Sequence, residues 1–160
     1  MTTIYVDADA CPVREEVYRV AGRLGVEARV VSNGSRPILP PRLPFVHMVT
    51  VGEAADAADD WIAARITADD VCVTADIPLA QRCLANGARV VPPNGRPFTM
   101  ANIGNALAGR ELARHLRELG AGGKGPPPFT KADRSRFLSA LDTAVQAALR
   151  AHKTDGDYFN

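Results

Sequence analysis

The feature that most constrains this chain is the alternation, over about its first 90 residues, of short apolar runs with stretches of helical period. Thr3 to Asp7 reads as a strand, and a helix follows from Pro12, with Glu15 and Glu16 in its first turn and Gly25 as its stop. Val26 to Ser32 is a second strand, ended by Asn33-Gly34, and Phe45 to Val51 alternates as a third. Ala55 to Ile66 is an Ala-rich helix, Asp70 to Thr74 a strand, Ile77 to Asn86 a helix closed by Gly87, and Arg89 to Val91 a last short strand. Such alternation predicts βαβ units, and hence an α/β fold with a mostly parallel, twisted sheet covered by helices on both faces. Functional sites in such sheets form beyond the carboxyl ends of the strands.

After Pro92-Pro93-Asn94-Gly95 the pattern becomes purely helical. Thr99 caps a predicted helix running to about Leu119, with Leu112, Leu116 and Leu119 spaced as one buried stripe. Gly120 to Pro128 reads as a Gly/Pro loop, and a second helix begins after Thr130, carrying Phe137, Leu138, Leu141, Val145 and Leu149. The expectation is one domain over residues 1–153, with both late helices packed on the sheet, and a flexible tail over 154–160. A hydrophobic content of 46% is enough for a real core. No apolar run approaches the length of a membrane span and the start lacks a signal-peptide pattern, so a cytoplasmic protein without membrane contact is expected. Cys11, Cys72 and Cys83 read as free thiols; Cys11, near a helix start, is the one whose reactivity merits a check.

The acids carry the chemical signal. Asp7 ends the first strand, Asp9 follows in the loop that opens the first helix, and Asp76 closes the strand from Asp70. Asp56, Asp59 and Asp60 recur at three- and four-residue spacing on one helix. Each alone is explained by helix capping or a solvated helix face, and for Asp9 capping is the first reading. Together, carboxylates from two strand ends and a helix suit a hard cation, Mg2+ or Mn2+, whose shell a substrate phosphate completes. Such a site predicts phosphodiester hydrolysis, with Thr74 and Asn33, both at strand ends, orienting water or phosphate. His47, His115 and His152 are scattered, which leaves a zinc site or a His-based triad little support.

Charge is divided along the chain. Residues 1–88 hold 12 acids and 8 bases, residues 89–160 hold 11 bases and 6 acids. In the basic part, Arg110, Arg114 and Arg117 recur at i, i+4 and i+7, a stripe able to follow a phosphate backbone, with Lys124, Lys131, Arg134 and Arg136 beyond. Pairing with Glu111 and Glu118 as an ordinary wet face explains the same stripe equally well. The acidic cluster and the Arg-lined helix are expected to face one cleft.

The runs Val6-Asp7-Ala8-Asp9-Ala10-Cys11-Pro12-Val13 and Thr74-Ala75-Asp76-Ile77-Pro78-Leu79-Ala80 closely resemble the uncharacterised bacterial YaiI/YqxD family. The likeness spans most of the chain, through Asp56 to Asp59, Arg110, Leu116-Arg117, Gly120, Gly125-Pro126, Asp133-Arg134 and Phe137. It implies a PIN-like fold, the class of metal-dependent nucleases with acids at the carboxyl edge of a parallel sheet. Carried over by position, Asp7, Asp56 or Asp59, and Asp76 correspond to PIN-type metal acids, and Asp9 is particular to this family. Two positions depart from the family pattern: Gly52 stands further upstream of the helix acids than usual, and Asn94 replaces an Arg before Gly95.

The reading that unites these features is a nuclease using Mg2+ or Mn2+ on single-stranded RNA, with Asp7, Asp9 and Asp76 as catalytic acids and Asp7, Asp56, Asp59 and Asp76 around the metal. Asn33, Thr74, Arg110, Arg114 and Arg117 would bind the substrate, and a homodimer is left open. One alternative is a haloacid-dehalogenase-like phosphohydrolase with Asp7 as nucleophile. Against it, the chain has no Lys before Lys124 to serve that chemistry. The other is a non-catalytic nucleic-acid-binding protein, in which low aromatic content, 6%, favours backbone contacts over base stacking.

Overall fold

The computed structural model of the protein describes residues 1–9, 11–35, 37–120 and 129–159; the side chains of Arg110, Arg117, Glu118 and residues 153–159 also lie outside the description. The first strand, β1 (Thr3–Asp7), leads into helix α1 (Arg14–Leu24), which Gly25 ends with φ 69°, a left-handed cap that glycine adopts without Cβ strain. Strands β2 (Glu27–Ser32) and β3 (Val46–Thr50) follow, then α2 (Ala57–Arg65), β4 (Val71–Val73), α3 (Ile77–Ala85) and β5 (Arg89–Val91). The chain ends in two helices, α4 (Ile103–Glu118) and α5 (Lys131–Phe159).

The five strands pair in the order β3-β2-β1-β4-β5, every pair parallel. Alternate strand residues feed two cores. On one face Ile4, Val6, Val30 and Val73 pack with Val17, Val20 and Ala21 of α1 and Phe137, Leu141 and Val145 of α5. On the other, Tyr5, Val31, Cys72 and Val90 meet Ala58 and Ile62 of α2, Leu79 and Cys83 of α3, and Ile103 of α4. The doubly covered parallel sheet expected from the strand-helix alternation is therefore present. Chain direction across the sheet reverses between β1 and β4, and it is beside this reversal, beyond the carboxyl ends, that such sheets leave a crevice.

Both late helices start on reciprocal caps. Thr99 and Asn102 exchange bonds, backbone N–H to side chain, at 2.8 and 3.1 Å, and Thr130 and Asp133 do so at 3.0 and 3.1 Å. Thr99 thus anchors the turn that leads into α4, four residues before the helix proper. The α5 helix continues to Phe159, through the segment expected as a tail. The loop expected from Gly120 to Pro128 lies, from residue 121 on, outside the described residues.

One expectation is overturned. Leu112, Leu116 and Leu119 are not a buried stripe but are exposed at 59%, 39% and 66%. The inward face of α4 is set instead by buried Ile103, which joins the α2–α3 core, with Ala106 and Leu107 partly covered. At about 100° per residue the three leucines fall on the side of the helix opposite Ile103. A helix lying on a body buries one face, and in α4 the residue that reaches the core is Ile103, at its start.

Candidate functional site

Parallel register sets Val6 beside Val73, so Asp7 and Thr74 occupy the next row, where both strands end. The Thr74 hydroxyl, buried there, donates to Asp7 Oδ2 at 2.9 Å and accepts the Asp76 backbone N–H at 3.0 Å. One hydroxyl thus ties the strand-end acid to the loop carrying the next one. Asp76 caps α3, with Oδ1 accepting from the Leu79 N–H at 2.9 Å, so capping explains part of its presence. Asp9 does not cap α1, whose N-cap is Val13 without any side-chain bond. Its Oδ2 accepts instead from the Asn33 N–H at 3.3 Å, linking the loops after β1 and β2.

The helix acids separate. Asp59, inside α2, lines the same cavity as Asp7 and Asp76, whereas exposed Asp56 is the N-cap of α2, makes no side-chain capping bond and is not in that lining. Asp60 points to Arg82, its carboxylate accepting from Nη1 at 2.7 Å. Helical periodicity placed the three acids close together, but only the docking of α2 decides which one turns inward.

The cavity has a volume of about 330 Å3. Asp7, Asp9, Asp59 and Asp76 line it with Thr74 and Asn33, and no Lys or Arg is among its described lining residues. Burial pushes Asp7 up to about 6, the Asp76 and Asp9 charges add to the rise, and the Thr74 hydrogen bond opposes it. Asp59 is likewise pushed up to about 6 by burial and by the charges of Asp76, Asp7 and Asp56, with Arg82 opposing. Among the described residues no three His, Cys, Asp or Glu side chains are grouped tightly enough to hold a metal ion by themselves. A Mg2+-type ion does not need such a cage, since it takes one or two carboxylates and completes its octahedron with water and phosphate oxygens. The all-oxygen donor set and its uncompensated negative charge fit an ion of that kind.

A second cavity, about 620 Å3, adjoins the first and shares Asp9, Cys11 and Asn33 with it. Its lining adds Arg14, Ser35 and Ile38. Sequence reasoning passed over these residues; the only hint is that Arg14 follows Pro12 directly after the acidic loop. Burial pushes the Cys11 thiol up to about 11, which keeps it protonated and unreactive, and Cys72 and Cys83 are buried in the core.

Of the basic stripe, only the Arg114 side chain is among the described residues. Arg114 is exposed, donates to Glu111 at 3.3 Å, and lines neither cavity. The side chains of Arg110 and Arg117, and all of Lys124, lie outside the described residues. Arg134 and Arg136 are engaged with Glu16 and Asp133. His47 lies by Glu27 and His152 by Asp69, both away from the acid cavity, and His115 is exposed. No helix among the described residues is long and apolar enough to cross a membrane.

Comparison with known proteins gives a consistent result. The family model described as "Uncharacterized BCR, YaiI/YqxD family" matches residues 5–147. A UPF0178 protein of Paramagnetospirillum magneticum is 55% identical over 150 residues, covering 94% of this chain and 98% of the relative. One of Rhodospirillum centenum is 53% identical over 154 residues, covering 94% and 99%. No solved structure matches. The strand-end acids Asp7 and Asp76 and the helix acid Asp59 all fall within the matched span, and by that match and these identities the chain belongs to the YaiI/YqxD family.

Proposed function

We propose that the protein is a PIN-like phosphodiesterase that uses Mg2+ or Mn2+ to hydrolyse nucleic acid, with single-stranded RNA as its substrate. The observation that carries this reading is the cavity at the β1–β4 reversal, with four carboxylates and no described cationic side chain in its lining. A phosphate group cannot approach that charge without a cation between. Asp7 and Asp76 would hold the metal, with Asp59 in the same cavity orienting its water; when bound, the metal polarises a phosphoryl oxygen and lowers the pKa of water. Thr74 holds Asp7 in place through its hydroxyl and, by accepting the Asp76 N–H, fixes the spacing of the two strand-end acids. Asp9, held by the Asn33 amide at the junction of the two cavities, would take a proton from the attacking water. Asp7 as a nucleophile is disfavoured because no Lys or Arg stands in the described lining to neutralise an aspartyl-phosphate beside the metal.

Cleavage of a fluorescent single-stranded RNA with Mn2+ tests the reading. Asp7→Asn and Asp76→Asn should each lower the rate at least about 100-fold, as loss of a metal-positioning carboxylate does in such chemistry. Asp59→Asn should weaken Mn2+ binding about tenfold in calorimetry, whereas Asp56→Asn should stay within twofold. Undiminished cleavage by Asp7→Asn and Asp76→Asn would overturn the proposal.

A further inference from the structure

We infer that the larger cavity beside the acid cluster is a nucleotide subsite, in which Arg14 holds a phosphate adjoining the one being cleaved. This rests on the phosphodiesterase reading and places a part of the substrate which that reading leaves unassigned. The cavity, about 620 Å3, has the size of a small-molecule site and opens onto the acid cavity through Asp9, Cys11 and Asn33.

Its polar groups suit an anion. Arg14 is half-buried and forms no hydrogen bond or ion pair among the described residues, whereas Arg23 and Arg134 on the same side of the sheet are bound to Asp142 and Glu16. A guanidinium without an acid partner keeps its donors for a ligand, and its planar fork matches two phosphate oxygens. Asn33 Oδ1 is occupied by the Ser35 N–H at 2.9 Å, which leaves the amide nitrogen of Asn33 as the group able to donate to a ligand. Pro12, Pro37 and Ile38 form an apolar wall against which a ribose or base can rest. With no aromatic side chain in the described lining, the base is held by shape and apolar contact rather than by stacking, so little base preference is expected. A polynucleotide strand would then pass from Arg14, over the Asp9–Asn33 junction, into the acid cavity.

The test uses the full chain in EDTA and uridine 5′-monophosphate, whose single phosphate need not enter the acid cavity, with binding followed by NMR. Shifts centred on Ser35 and Ile38, and a dissociation constant raised about tenfold in Arg14→Gln and only partly restored in Arg14→Lys, which keeps the charge and loses the fork, are expected. Ser35→Asp, on an exposed turn, puts a carboxylate in the same cavity without disturbing the core and should weaken binding similarly. No detectable binding by the wild-type chain, or binding by Arg14→Gln and Ser35→Asp within threefold of it, would overturn the subsite. Mn2+-dependent hydrolysis of bis(p-nitrophenyl) phosphate, which has no nucleotide to seat, separates the two readings. Its absence alongside Arg14-dependent mononucleotide binding would remove the hydrolase and keep the subsite. Its presence alongside Arg14-independent binding would do the reverse.

Discussion

Asp70, just before β4, and Asp7, at the end of β1, are both carboxylates drawn under the edge of the sheet, at its opposite ends. Asp70 accepts hydrogen bonds from the Thr3 N–H, the Thr67 N–H and the Thr67 hydroxyl at 3.0, 2.9 and 3.0 Å. Among the described residues Asp7 has the Thr74 hydroxyl alone, with Asp76 and Asp9 close enough to repel it. Asp70 is therefore a structural acid and Asp7 one whose charge the fold tolerates at a cost. Because Asp7 and Asp59 are pushed up to about 6, above their unfolded values near 4, the folded chain binds more protons than the unfolded one across that interval. Stability of the metal-free protein should thus fall as pH rises from about 4 to about 6 and level off above. Asp7→Asn keeps an acceptor for Thr74 and removes the charge. In EDTA at pH 7.5 it should stabilise the chain by about 1–3 kcal/mol in urea denaturation, and the gain should vanish near pH 4. An equal gain at both pH values would mean that charge is not the cause.

At the scale of elements, α4 and α5 show how periodicity alone misleads. Both carry apolar residues at helical spacing, but α5 lies against the sheet along Phe137, Leu141, Val145 and Ala148, all fully buried, while the leucines of α4 face away from the body. A stripe tells which residues share a face and leaves open whether anything covers it. Leu116→Lys should therefore change stability by no more than about 0.5 kcal/mol, whereas Leu141→Ala should cost about 2–5 kcal/mol, measured by chemical denaturation. Similar costs at the two positions would mean that Leu116 is covered in solution. The strands were easier to read, because an apolar run between turn residues is buried wherever a parallel sheet is covered on both faces.

For the whole molecule, the critical joint is where the loop after β5 meets α5. Gly95 has φ 77°, and a Cβ there would lie 2.5 Å from the backbone of Arg136 and Phe137; Arg136 Nη1 also donates to the Asn94 carbonyl at 3.1 Å. This close approach fixes α5 on the sheet, with Arg134 bound to Glu16 and Arg23 to Asp142 clamping it to α1. Gly95→Ala meets both a disfavoured backbone conformation and a backbone clash, and should cost about 3 kcal/mol or more, read as a drop in Tm and a lower urea midpoint. A loss below about 1 kcal/mol would show that the loop shifts freely.

Chain order and residue type by themselves determined the parallel α/β architecture, the glycine stops at Gly25 and Gly87, the Thr99 cap and the presence of acids at two strand ends, because these follow from local backbone preference and from the period of apolar residues. They also carried the family resemblance. Tertiary structure alone decided that Asp59 rather than Asp56 enters the cavity, that Asp9 bonds Asn33 instead of capping α1, and that the α4 leucines stay in water. It also decided that Arg14, unremarked among the arginines of the sequence, stands beside the acids while Arg114 does not. Each of those outcomes depends on how a helix is rotated and where it docks, which is set by packing between residues distant in the chain and has no local signature.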